Sequence, residues 1–95
     1  MSAYVLGEIE VTDPAGYEDY RKQVLAVVTK YGGKFIVRGG RVEPLEGGWA
    51  PQRIVALEFP SMEQAQKWYR SPEYAPLIEL RKKASRGKLI LVEGA

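Results

Sequence analysis

An α+β fold with one four-stranded antiparallel sheet is what the sequence predicts. Three observations carry that expectation. Period-two apolar alternation occurs in four short segments. Two helical stretches interrupt them, the second broken in its middle. Glycine, proline and capping residues fall between them in the order strand, helix, strand, strand, helix, helix, strand. That order is a split βαβ pattern, the ferredoxin-like arrangement, with the helices on one face of the sheet. The whole chain, 1–95, is expected to form a single domain.

The first strand is Ala3–Val11, where Val5, Ile9 and Val11 alternate with Tyr4, Leu6, Glu8 and Glu10. Asp13 is a good N-cap, and Pro14 suits the first helical position. Tyr17, Tyr20, Val24, Val27, Val28 and Tyr31 then form one apolar helical stripe, and Gly32-Gly33 stops it. Lys34–Arg38 is the second strand, with Phe35 and Val37 on one face and Ile36 and Arg38 on the other. A Gly- and Pro-rich connection, Gly39–Gln52, leads to the third strand, Arg53–Phe59. Ser61 to Gln64 fits a capping box for a helix ending near Arg70, because Pro72 disfavours helix at Ser71. Ser71 is expected to cap a further helix, started by Pro72 with an irregular first turn because Pro76 lies only four residues on, running to about Ser85 and ended by Gly87. Lys88–Glu93 is the last strand.

The helices are expected to cover Val5, Ile9, Phe35, Val37, Val55, Leu57 and Phe59. The other sheet face mixes Tyr4, Leu6, Ile36, Ile54 and Ala56 with Glu8, Glu10, Arg38 and Glu58. It is too apolar for water and too charged for a dry core. A second sheet from another copy of the chain would resolve that conflict, so a homodimer is expected.

Composition narrows the chemistry. The chain has no cysteine and no histidine, which removes thiolate catalysis, disulfides and the commonest general base and zinc ligand. No cofactor and no metal are expected. The net charge of +2 gives no support to a nucleic-acid partner, and no apolar run is long enough to span a membrane. The N-terminus lacks the pattern of a signal peptide, so a cytoplasmic location is expected. The glycine pairs form neither a P-loop nor a dinucleotide fingerprint. The cations between Arg81 and Lys88 have no interleaved aromatics and read as a solvated face.

Two constellations remain. On a helical wheel, Tyr74, Leu77, Ile78, Ala84 and Ser85 all fall within about 60° of Arg81. Arg81 thus sits in the apolar stripe, either paired internally or anchoring an anion at the floor of a pocket. Trp68, Tyr69 and Tyr74 lie on the same side of the molecule. They either fill the joint between two short helices or, with Tyr17 and Tyr20, line an aromatic pocket for a small planar or carboxylated ligand. Tyr74 is then a candidate proton donor. The second constellation is Glu58 with Arg38 on the opposite face, either a structural salt bridge or a site whose base is Glu58, its pKa raised by desolvation. Trp49, in the long connection, is expected to be a pocket lid or a dimer contact.

The blocks "GGKFIVRGG", "EFPSMEQAQKWYRSPEY" and "LRKKASRGKLILVEG", in that order, resemble the domain of unknown function 1330 family over nearly the whole chain. The resemblance implies a subunit of the dimeric α/β-barrel superfamily. That superfamily includes cofactor-free monooxygenases, a lactone isomerase and haem-dependent enzymes. Its haem-binding members typically use a histidine, which this chain lacks. Two functions stay open: a small enzyme or binder acting on an anionic or aromatic metabolite, and a non-catalytic homodimeric module.

Overall fold

The computed structural model describes residues 1–95. Its elements are β1 (Ala3–Val11), α1 (Pro14–Lys30), β2 (Lys34–Arg38), β3 (Arg53–Phe59), α2 (Met62–Tyr69), α3 (Ala75–Ala84) and β4 (Ser85–Glu93). The sheet order is β2-β3-β1-β4 with every neighbouring pair antiparallel, which is the ferredoxin-like topology. The molecule is only 16 Å thick. That is one sheet plus one helix layer, so the second sheet face has no helix or sheet packed on it.

The caps act as the sequence suggests. The Asp13 carboxylate accepts from the Gly16 N–H at 3.2 Å, and the Ser61 hydroxyl accepts from the Gln64 N–H at 3.1 Å. Gly32 takes φ +82°, a left-handed turn that glycine adopts without strain, and ends α1. Val5, Ile9, Val55, Leu57 and Phe59 meet Val24, Val28, Trp68 and Leu77 in the core. Fully burying one such side chain contributes about 1.5–3 kcal/mol.

Three expectations are corrected. Pro72 does not start a helix. Residues 72–74 form a turn in which the Ser71 hydroxyl accepts from the Tyr74 N–H at 3.1 Å and donates to the Trp68 carbonyl at 2.8 Å, and α3 begins only at Ala75. α3 ends at Ala84, and β4 starts at once at Ser85 rather than at Lys88. β1 reaches far enough to pair Val11 with Ser85 and Glu10 with Arg86, and the Ala84 carbonyl accepts from both Thr12 and Asp13 N–H. Pairing to β1 thus overrides helical continuation. The third correction is a β-bulge in β2. Phe35 pairs with Leu57, but Val37 pairs with Ala56 and Arg38 with Val55. The extra residue reverses the alternation. Val37 turns outward, 42% exposed, and Arg38 turns under the helices.

Candidate functional site

A cavity of about 30 Å³, room for a water or two, lies between the sheet and helices α1 and α3. Its walls carry Tyr17, Tyr20 and Arg21 from α1, Arg38 from β2, Arg53 from β3, and Trp68, Tyr74 and Arg81 from the α2–α3 region. The rest is apolar. No acidic side chain lines it.

At the inner end the Tyr20 and Tyr74 hydroxyls are hydrogen-bonded to each other at 2.8 Å, and both rings are buried. Trp68 stacks on Tyr74 with ring centroids 4.3 Å apart. Burial raises both phenols above the ordinary tyrosine range, Tyr20 far above it. Tyr74 acts as a like-charged neighbour to Tyr20, and the Arg81 cation opposes the shift there; on Tyr74 the hydrogen bond with Tyr20 opposes it first, then the charge and a hydrogen bond of Arg81. Both are therefore neutral hydrogen-bond donors at ordinary pH, not phenolate bases.

Arg81 is 7% exposed, has no carboxylate within salt-bridge distance, and its Nε finds no acceptor. At the outer end the Arg38 guanidinium lies 4.2 Å from the Phe35 ring centroid and donates to the Arg21 carbonyl at 2.8 Å. The Arg53 guanidinium lies 5.3 Å from the Tyr17 ring centroid. Gly39, at φ +73°, lets the chain turn tightly against that guanidinium, where a Cβ would collide with it. Three buried side-chain nitrogens lack a partner: Arg53 Nε, Trp68 Nε1 and Arg81 Nε. All three belong to residues lining this one cavity. They are N–H donors, so what would satisfy them is an acceptor, and beside guanidinium groups an anion.

The chain belongs to the family described as Domain of unknown function (DUF1330). The family model matches residues 2–95. No curated protein matches the chain. Among solved structures, RPA0582 from Rhodopseudomonas palustris, a protein of unknown function, is similar at 18% identity and TM-score 0.79, covering 99% of this chain and 82% of that one. SnoaB from Streptomyces nogalater, a cofactor-independent oxygenase, is similar at 14% identity and TM-score 0.69, covering 99% and 93%. An antibiotic biosynthesis monooxygenase is similar at 8% identity and TM-score 0.59, covering 100% and 99%. At these identities the likeness is one of fold, the ferredoxin-like fold. The function of the DUF1330 family is uncharacterised.

Of the residues singled out in the sequence, the DUF1330 fold brings Tyr17, Arg38, Trp68, Tyr74 and Arg81 to one cavity. Tyr69 is not among them. It packs edge-on to Trp68 and Tyr74, is 41% exposed, and lines a groove between α2 and β4. Glu58 is separated from Arg38, because the bulge places them on opposite sheet faces. Its neighbours are the Tyr4 hydroxyl at 3.3 Å and Lys34 Nζ at 3.4 Å. Hydrogen bonding from Ser2, with help from Lys34 and Tyr4, holds its carboxyl below the usual range, the opposite of a desolvated base. Trp49 does not lid the cavity. Its Nε1–H donates to the Glu8 carboxylate at 2.6 Å on the outer sheet face. Arg53 and Arg21 are the lining residues that sequence reading missed. Arg53 was within reach, since alternation with Val55, Leu57 and Phe59 puts it on the inner face.

No helix is long and apolar enough to cross a membrane.

Proposed function

We propose that the chain binds a small anionic metabolite in the cavity between sheet and helices, with Arg81 as its anchor. Trp68 and Tyr17 shape the walls, and the Tyr20–Tyr74 pair donates the hydroxyl proton that it does not use internally. Arg38 and Arg53 guard the outer end. The reading rests on one observation: three partnerless buried N–H donors belong to residues that line a single cavity without a carboxylate. If a reaction occurs there, the phenols fit the role of acid and not of base. Glu58 lies outside the cavity and takes no part in the site.

The assembly we propose is a homodimer formed through the outer sheet face. Leu6, Ile36, Val37, Ile90 and Val92 are exposed there, and an uncovered apolar sheet face is a natural seat for a second copy.

Binding is tested by thermal shift with a panel of aliphatic and aromatic carboxylates beside their neutral amides. At about 100-fold excess over Kd a true ligand stabilises by about 2.7 kcal/mol. Carboxylates should raise Tm, amides should not, and Arg81→Leu should abolish the effect. Equal shifts with acids and amides, or shifts that survive Arg81→Leu, would overturn the reading.

A further inference from the structure

We infer that the ligand is a dianion, a small acid with two separated anionic groups, held at two cationic ends of the one cavity. This rests on the anion-binding reading and narrows it.

The inner end is Arg81 beside the Tyr20–Tyr74 pair and Trp68. The outer end is Arg38 and Arg53, with Arg21 at the rim. Partnerless buried donors occur at both: Arg81 Nε and Trp68 Nε1 inside, Arg53 Nε outside. The outer cations also burden one another. Burial first, then the charges of Arg21 and Arg53, hold Arg38 below the ordinary guanidinium range. Only Arg21 finds a carboxylate, Glu18 at 3.6 Å, and that pair is about half exposed. A single carboxylate on Arg81 would leave this outer cluster uncompensated. A second anionic group would relieve it and give Arg53 its acceptor. The rest of the lining is hydrocarbon, including Val55 and Leu57, which suits a short apolar body. A ligand larger than the present cavity enters by displacement of the Arg21 side chain, already half exposed at the rim.

The test is calorimetric titration of the full chain with succinate, glutarate and adipate, each beside the monocarboxylate of the same carbon number, at matched ionic strength. At least one diacid should bind tighter than its monoacid by about tenfold or more. Arg53→Met and Arg38→Met should each weaken the diacid more than its monoacid and so remove most of that advantage. Arg81→Leu should weaken both classes. Two outer-end variants are used because Arg53 packs tightly under Gly39, and circular dichroism melts confirm that each is folded. If monoacids bind as tightly as diacids, or if both outer-end variants weaken the two classes alike, the dianion inference fails and the anion site stands. If no acid of either class binds, both fail.

Discussion

Replacing Arg81 with leucine should make the ligand-free protein more stable, not less. The guanidinium is 7% exposed, sits among Tyr20, Tyr74 and Trp68, and has no acidic side chain within 4 Å. Its Nε is without an acceptor, and an unsatisfied buried donor costs about 1–3 kcal/mol. Desolvation of the charge adds to that, since even well-paired buried ions often yield about 1–4 kcal/mol when replaced by apolar side chains. Leucine keeps part of the apolar stem's packing but leaves some volume unfilled, which offsets part of the gain. Loss of the Arg81 hydrogen bond to the Tyr74 hydroxyl offsets a further part, while the Tyr20–Tyr74 hydrogen bond is left in place. A net gain of about 1–3 kcal/mol follows, a rise in Tm of roughly 4–20 °C for a chain of this size. The assay is reversible thermal and urea denaturation of exhaustively dialysed protein, followed by circular dichroism. A loss of stability above about 1 kcal/mol would refute the reasoning, because it would mean that Arg81 is structurally paired. Gain of stability with loss of binding is the signature of a residue kept for function.

Three further outcomes are expected. Glu73 receives hydrogen bonds from Lys30 and Tyr31, with the Lys30 contact the largest influence, and its pKa falls from 4.5 to about 2. A depressed carboxylate stabilises the fold above its unfolded pKa and loses that contribution as pH falls, so the stability gap between wild type and Glu73→Gln should close between pH 4.5 and about 2; a gap constant across that window would contradict it. Tyr20 and Tyr74 have raised pKa values, so their contribution is complete below the unfolded value of 10.0 and is lost at higher pH. Their phenolate absorbance should therefore appear only with alkaline unfolding, and Tyr20→Phe should remove part of that late step; early, reversible ionisation of either would refute the buried pair. Ile90→Lys, at a 60% exposed site on the outer face, should give a monomer in sedimentation with the fold intact, whereas an unchanged mass would count against dimerisation through this face.

Much of the fold was legible because it rests on local patterns. The alternation in "AYVLGEIEV", the Asp13 and Ser61 caps and the Gly32-Gly33 stop each carry a mechanism readable one residue at a time. The bulge was not legible. "KFIVR" carries three apolar residues in a row, which fits either register, and only its pairing with β3 shows that two residues share one partner's space. The early start of β4 had the same cause, a strand partner supplied by β1. For the site, helical spacing was enough to put Arg81 among the aromatics. Its want of a carboxylate is a property of the assembled walls, to which six other elements contribute, and no spacing in the sequence encodes it.

The two sheet faces treat charge in opposite ways, and the bulge decides which face receives Arg38. On the outer face acids meet donors: Glu58 with Lys34 and Tyr4, Glu8 with Trp49. Without the extra residue in β2, Arg38 would fall opposite Ile54, whose other strand neighbour is Glu8. It would then be one more neutralised surface charge. The bulge instead carries it beneath the helices, beside Arg53 and Arg21, where no carboxylate answers it. A bulge weakens the local ladder, and a gathered cluster of cations destabilises its surroundings. Neither change strengthens the fold of the empty chain. Both concentrate positive charge in the one cavity that also holds the partnerless donors. Bulges are over-represented beside functional sites because they re-aim a side chain, and here the re-aimed side chain is the one that completes the outer end of the site.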